Sequence, residues 1–257
     1  MNFKSFLIVL NFLIIGSSFG QKFSLPQLIE KAGKQKILCE QMTKSYLMMG
    51  SLIKAVEARS EFDDSKFAFS KNMLYLNEYS KLEETKIAIQ NVVVLWNEFK
   101  TTIETVPTRE NAIIVMNQSE VLLKNCNEMI SKIYLEHKLK NTRLINLCNR
   151  QRLNVQKIAK HWVCNKWKVN SLDFEKNINE AITSYEFSLS QLMAEENQPE
   201  ISNMLIKQQN DWSGYKSNFV FENNTIAPET VIENTTVILN EWNKLAVLYQ
   251  KMAITGN

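Results

Sequence analysis

Two short clusters, Gln35-Lys36 and Gln151-Arg152, set an amide beside a cation on segments of helical periodicity. Those groups suit the grip of a small anion, with N–H donors from the amide and charge from the neighbour. Arg152 offers a flat fork that matches a planar oxyanion, whereas Lys36 is a point charge. Each glutamine falls within an apolar stripe, where an amide must be hydrogen-bonded or cost free energy. A structural amide that sets helix register satisfies the same demand, and a cation at the stripe border can snorkel to water. Both readings stand at this point. Arg150 joins Arg152, Lys36, Gln151 and Gln35 as a candidate ligand-binding residue, although it and Lys34 point away from the stripe and read as solvated. Lys157, Lys160 and His161, then Lys166 and Lys168, extend the basic run.

Catalytic signals are missing. No nucleophile–base arrangement, glycine-rich phosphate loop or diagnostic carboxylate pair stands out. Glu136 directly abuts His137, the wrong spacing for a carboxylate-bridged metal pair, and no HExxH or CxxCH pattern is present. No catalytic residue, metal or cofactor is assigned, and the chain is expected not to be an enzyme.

The two clusters belong to a longer repeat. Residues 28–46 and 144–162 align without a gap at an offset of 116 residues. The same offset sets Trp96 on Trp212, Phe99 on Tyr215, Lys100 on Lys216 and Asn127 on Asn243. Such self-similarity marks a tandem duplication, each half one module. Trp96 and Trp212, with their neighbours, are expected in the cores. Trp162 and Trp167 have no tryptophan counterparts and are expected at a surface.

Residues 1–20 read as a secretory signal, with Lys4 ahead of an apolar run from Phe6 to Ile15 and small residues before Gln21. Module 1 then spans 21–139 and module 2 spans 140–257. The implied location is exported, periplasmic or secreted, with no transmembrane segment once the signal is removed. The net charge of +3 is near neutral and argues against nucleic acid as a partner. Cys39, Cys126, Cys148 and Cys164 do not map onto one another. They read as free buried thiols, with a Cys39–Cys126 bridge the alternative. Asn117, Asn223 and Asn234 open Asn-x-Ser/Thr triplets, for which chance is the default in an Asn-rich chain.

Six glycines, four prolines and no period-two alternation indicate an all-α chain. Helices are expected at about 26–58, 64–104, 108–168, 171–196, 199–220 and 228–253. Leu28, Ala32, Gln35, Cys39, Met42, Tyr46 and Ile53 form one stripe of the first, with Leu38 and Lys44 pointing elsewhere. The expected fold is two tandem four-helix bundles. With no proline or glycine between Thr108 and Gln198, the modules are expected to share a long central helix, about 90 Å, and to stack end to end. A kink near Asn141-Thr142 would fold them side by side instead.

The segment Ile29-Glu30-Lys31-Ala32-Gly33-Lys34-Gln35-Lys36-Ile37-Leu38 resembles the opening helix of the PilJ-type sensor domain, the N-terminal part of type IV pili chemotaxis transducers. That domain is related to the periplasmic domains of nitrate/nitrite sensor kinases. Ile145-Asn146-Leu147-Cys148-Asn149-Arg150-Gln151-Arg152 resembles it as well. The resemblance implies a four-helix sensor domain that binds a small ligand, nitrate or nitrite, between two motif helices. Its anion-gripping arginine corresponds to Arg152 and Lys36. Gly33 fits the pattern and Asn149 departs from it. The resemblance implies a homodimer or a folded-back chain. The alternative function is a protein-interaction or structural helical module of the cell envelope without a small-molecule ligand.

Overall fold

The computed structural model describes residues 24–138, 142–169, 174–219 and 226–255. The expected signal segment, the boundary between residues 139 and 140, and Asn223 lie outside them. Among the described residues there are eight α-helices and no strand: α1 (Leu25–Ser51), α2 (Ala55–Tyr79), α3 (Glu83–Ile103), α4 (Arg109–Glu136), α5 (Arg143–Lys166), α6 (Phe174–Met193), α7 (Pro199–Tyr215) and α8 (Pro228–Thr255). The chain is all-α, as expected. None of these helices is long and apolar enough to cross a membrane.

Three expected helices break, and none of the left-handed residues at these breaks is glycine. The first ends at Ser51 because Leu52 turns left-handed at φ 61°. Ile53 N–H then donates to Met48 O at 3.0 Å, closing a six-residue cap. Module 2 repeats the device at the same offset: Lys168 has φ 56°, and Val169 N–H donates to Cys164 O at 3.1 Å. Ile53 and Val169 are both buried, so an apolar anchor supports a left-handed residue that is not glycine. The second break, at Ser80–Leu82, is capped from α4. Glu136 Oε1 accepts the N–H of Lys81 at 2.6 Å and that of Leu82 at 3.3 Å. Burial alone would raise the Glu136 carboxyl, but those donors and the Thr85 hydroxyl hold it below its ordinary value.

The third break corrects the expected architecture. α4 stops at Glu136, Lys138 is left-handed at φ 49°, and α5 begins afresh at Arg143. No central helix is shared and the modules do not stack end to end. Helix α1 instead lies against α5 along their length. Contacts advance together on both helices, from Glu30 with Arg152, through Glu40 with Lys160, to Gly50 against Trp167, so the two run in the same direction. The chain has folded into an internal dimer, with the repeated helices as its seam. Hence α1 and α5 are each buried on more than one face. Leu38 and Lys44, outside the first stripe, are 3% and 4% exposed.

Around this pair, α1 packs on α2 and α4, and α5 packs on α6 and α8. The same aromatic contact recurs in both halves: Phe69 on Trp96 at 4.5 Å and Tyr185 on Trp212 at 4.2 Å. Trp96 and Trp212 are core residues, as expected. Trp162 is not a surface residue; it is wholly buried, and Trp167 is half-buried over Gly50. All four cysteines are free and buried, with no Cys39–Cys126 bridge.

A Cβ at Gly50 would fall within the Trp167 ring, which is rigid and cannot step aside as a flexible chain can. Gly50→Ala is therefore expected to cost about 1–3 kcal/mol through overpacking. Chemical denaturation checks this, and Trp167→Leu in the same chain should recover most of the loss.

Candidate functional site

The seam between α1 and α5 brings the sequence candidates together. Gln35 Nε2 donates to Phe69 O at 3.1 Å, and Gln151 Nε2 donates to Tyr185 O at 3.0 Å. These equivalent bonds pin each motif helix to the next helix of its own module. Gln35 also accepts from Asn72 Nδ2 at 3.2 Å. Both glutamines are wholly buried, so their amides fix register rather than face a cleft.

The cations behave differently from each other. Arg152 is 3% exposed and paired through Nη1 and Nε. Its Nη1 lies 2.9 and 3.1 Å from the two oxygens of Glu30 and 2.9 Å from Asn149 Oδ1, while Nε donates to Asn243 Oδ1 at 2.9 Å. Both Glu30 oxygens thus share Nη1, so the carboxylate already takes one arm of the guanidinium that a planar oxyanion would use. Lys36 makes the equivalent amide contact, Nζ donating to Asn127 Oδ1 at 2.8 Å. It has no carboxylate partner among the described residues. Burial is the main cause that lowers its pKa; Cys126 opposes it, and the positive charges of Arg150 and Lys157 add smaller downward effects. Arg150 is exposed and Lys157 half-buried, and neither has an ion-pair partner among the described residues. Lys34 is likewise lowered, by burial and then by Arg152. Around Arg152, which is paired, the seam carries an open basic group with no ion-pair partner among the described residues: Lys36, Arg150 and Lys157.

Gly33 and Asn149, equivalent positions, meet across the seam. A Cβ on Gly33 would collide with the Asn149 amide, so the glycine of one copy makes room for the asparagine of the other. The departure of Asn149 from the motif is thus accommodated by its own counterpart.

Lys160 and His161, read as part of a basic run, are not on the surface. Lys160 is wholly buried, with Nζ 2.8 Å from Glu40 Oε2 and 3.0 Å from Glu120 Oε1. The Glu40 contact is close as an ion pair but poorly aligned as a hydrogen bond. Burial opposes the Lys160 charge, but the two carboxylates outweigh it and hold the ammonium above the ordinary lysine range. On Glu120, burial pushes upward, yet Lys160 and then Lys157 leave the carboxyl below its ordinary value. His161 is 5% exposed; burial, then Lys160 and Lys157, push its pKa down to about 2, so the imidazole is neutral. No periodicity argument could find this triad, because Glu40 and Lys160 meet only through the pairing of modules.

No family model, curated protein or solved structure matches the chain.

Proposed function

We propose that the chain is a non-catalytic, sensor-like binding module whose two copies pair within one molecule and hold a small anion at their seam. The observation that carries this reading is the open basic group. Lys36 on α1 feels the charges of Arg150 and Lys157 on α5, and none of the three has an ion-pair partner among the described residues. Burial first, and then the neighbouring cations, disfavour the charged form of Lys36, and a bound anion would favour it. The side-by-side course of the motif helices agrees with what the PilJ-type resemblance implies, and nitrate or nitrite is the candidate on that ground. Of the two positions expected to grip the anion, Lys36 carries it in this reading, joined by Arg150, since Glu30 already pairs with Arg152 Nη1.

Calorimetric titration with sodium nitrate at constant ionic strength tests the assignment. Lys36→Ala and Arg150→Ala are each expected to weaken nitrate about tenfold. Unchanged affinity in both variants would remove the anion from this seam.

A second reading, a protein-interaction module of the cell envelope, is favoured by one observation. Val56, Phe67 and Leu74 are 83%, 71% and 74% exposed and fall on one side of α2 at helical spacing. Absence of any anion response, together with loss of partner capture in Phe67→Ser, would move the function there.

A further inference from the structure

A cleft of about 720 Å³, which Arg152 does not line, is bounded by α4, α5 and α6. Its walls carry opposite charges. Lys157 stands on α5 and Glu180 on α6, and neither has an ion-pair partner among the described residues. The α5–α6 hairpin sets them level. Gln151 bonded to Tyr185 O, and Asn154 bonded to Ser184 Oγ at 3.0 Å, fix an antiparallel register that places Lys157 opposite Glu180. Both line the cleft and are not joined as an ion pair.

Deeper in the cleft is His161, more than nine-tenths buried, whose Nδ1 has no hydrogen-bond partner. A buried polar atom left unbonded costs free energy until something bonds it. A neutral imidazole has one nitrogen to donate and one to accept. The floor is apolar, formed by Met116 and Ala181.

We propose that this cleft binds a free α-amino acid as its zwitterion, with the carboxylate on Lys157, the ammonium on Glu180 and the side chain over Met116 and Ala181. A zwitterion carries both charges within one small group and so satisfies two opposed, unpaired walls together. A simple anion would leave Glu180 unpaired, and a simple cation would leave Lys157 so. Glu120 lines the same cleft while bonding Lys160, so the ligand would sit one side chain from the buried ion pair that joins the modules. The proposal goes beyond the anion reading and shares only Lys157 with it.

The test is calorimetric titration of the whole chain with the L-amino acids one at a time, then with the N-acetyl and C-amide derivatives of any that bind. At least one amino acid is expected to give saturable heat, and each derivative to bind at least about tenfold more weakly. Glu180→Gln changes an exposed residue, retains the fold by circular dichroism, and is expected to weaken the amino acid about tenfold while leaving the nitrate response intact. Lys157→Met is expected to weaken both. No saturable heat from any amino acid would overturn the proposal. So would a derivative, or the Glu180→Gln chain, binding as tightly as the parent. Because Glu180→Gln spares nitrate, failure here and failure of the anion reading are separable.

Discussion

Lys160→Met should lower the unfolding free energy by about 3–5 kcal/mol, the cost of stranding a buried charge. Lys160 and Glu40 are both wholly buried, one from each module, so removal of the ammonium leaves the Glu40 carboxylate in the seam without its partner. The Glu120 arm contributes less, because more than half of that side chain is open to solvent. A double variant, Lys160→Met with Glu40→Leu, removes both buried charges and fills the space, and should recover most of the loss. Urea denaturation of the four chains of this cycle measures the coupling. A single variant as stable as the parent would mean that the pair is not buried. The pH dependence follows from sign. The Glu120 carboxyl is held below its unfolded value, so its contribution is present above the ordinary carboxylate range and is lost as pH falls through the lowered value.

The second large effect is at the Arg152 fork. Glu30→Ala leaves a 3% exposed guanidinium with only Asn149 and Asn243 as partners. The expected loss is about 3 kcal/mol, at the lower end for a broken buried pair because Glu30 is partly exposed. The vacated space faces a flat fork, so formate or nitrate should restore melting temperature in Glu30→Ala far more than in the parent. Chloride, which is spherical, should restore less. Thermal unfolding against the three sodium salts at equal ionic strength checks this. Equal responses from parent and variant would show that the fork does not accept an external anion.

Much of the fold was legible because duplication prints the same constraint twice. The offset that sets Asn127 on Asn243 also sets two equivalent hydrogen bonds, from Lys36 and from Arg152. Likewise it sets Gln35 and Gln151 on equivalent carbonyls. Helix ends were less legible. Leu52, Lys138 and Lys168 take left-handed turns that sequence patterns reserve for glycine, and the cap at Lys81 comes from Glu136 on a distant helix. The apolar residues after the turns, Ile53 and Val169, were the available signal. The seam itself was hidden because a stripe records that a face is buried and not what covers it. Glu40, Lys160 and the Arg152–Glu30 pair are buried polar groups that single-helix periodicity assigns to solvent. The reassignment of Arg152 from an open anion ligand to a partner of Glu30 follows from that pairing.

The proposal that the seam of the internal dimer holds a small anion is tested most directly by thermal unfolding of the whole chain against nitrate, nitrite and chloride at constant ionic strength. The predicted result is a saturable rise in melting temperature with nitrate or nitrite, absent with chloride and reduced in Lys36→Ala. A melting temperature that is flat across all three salts, or that rises equally with each, would contradict it.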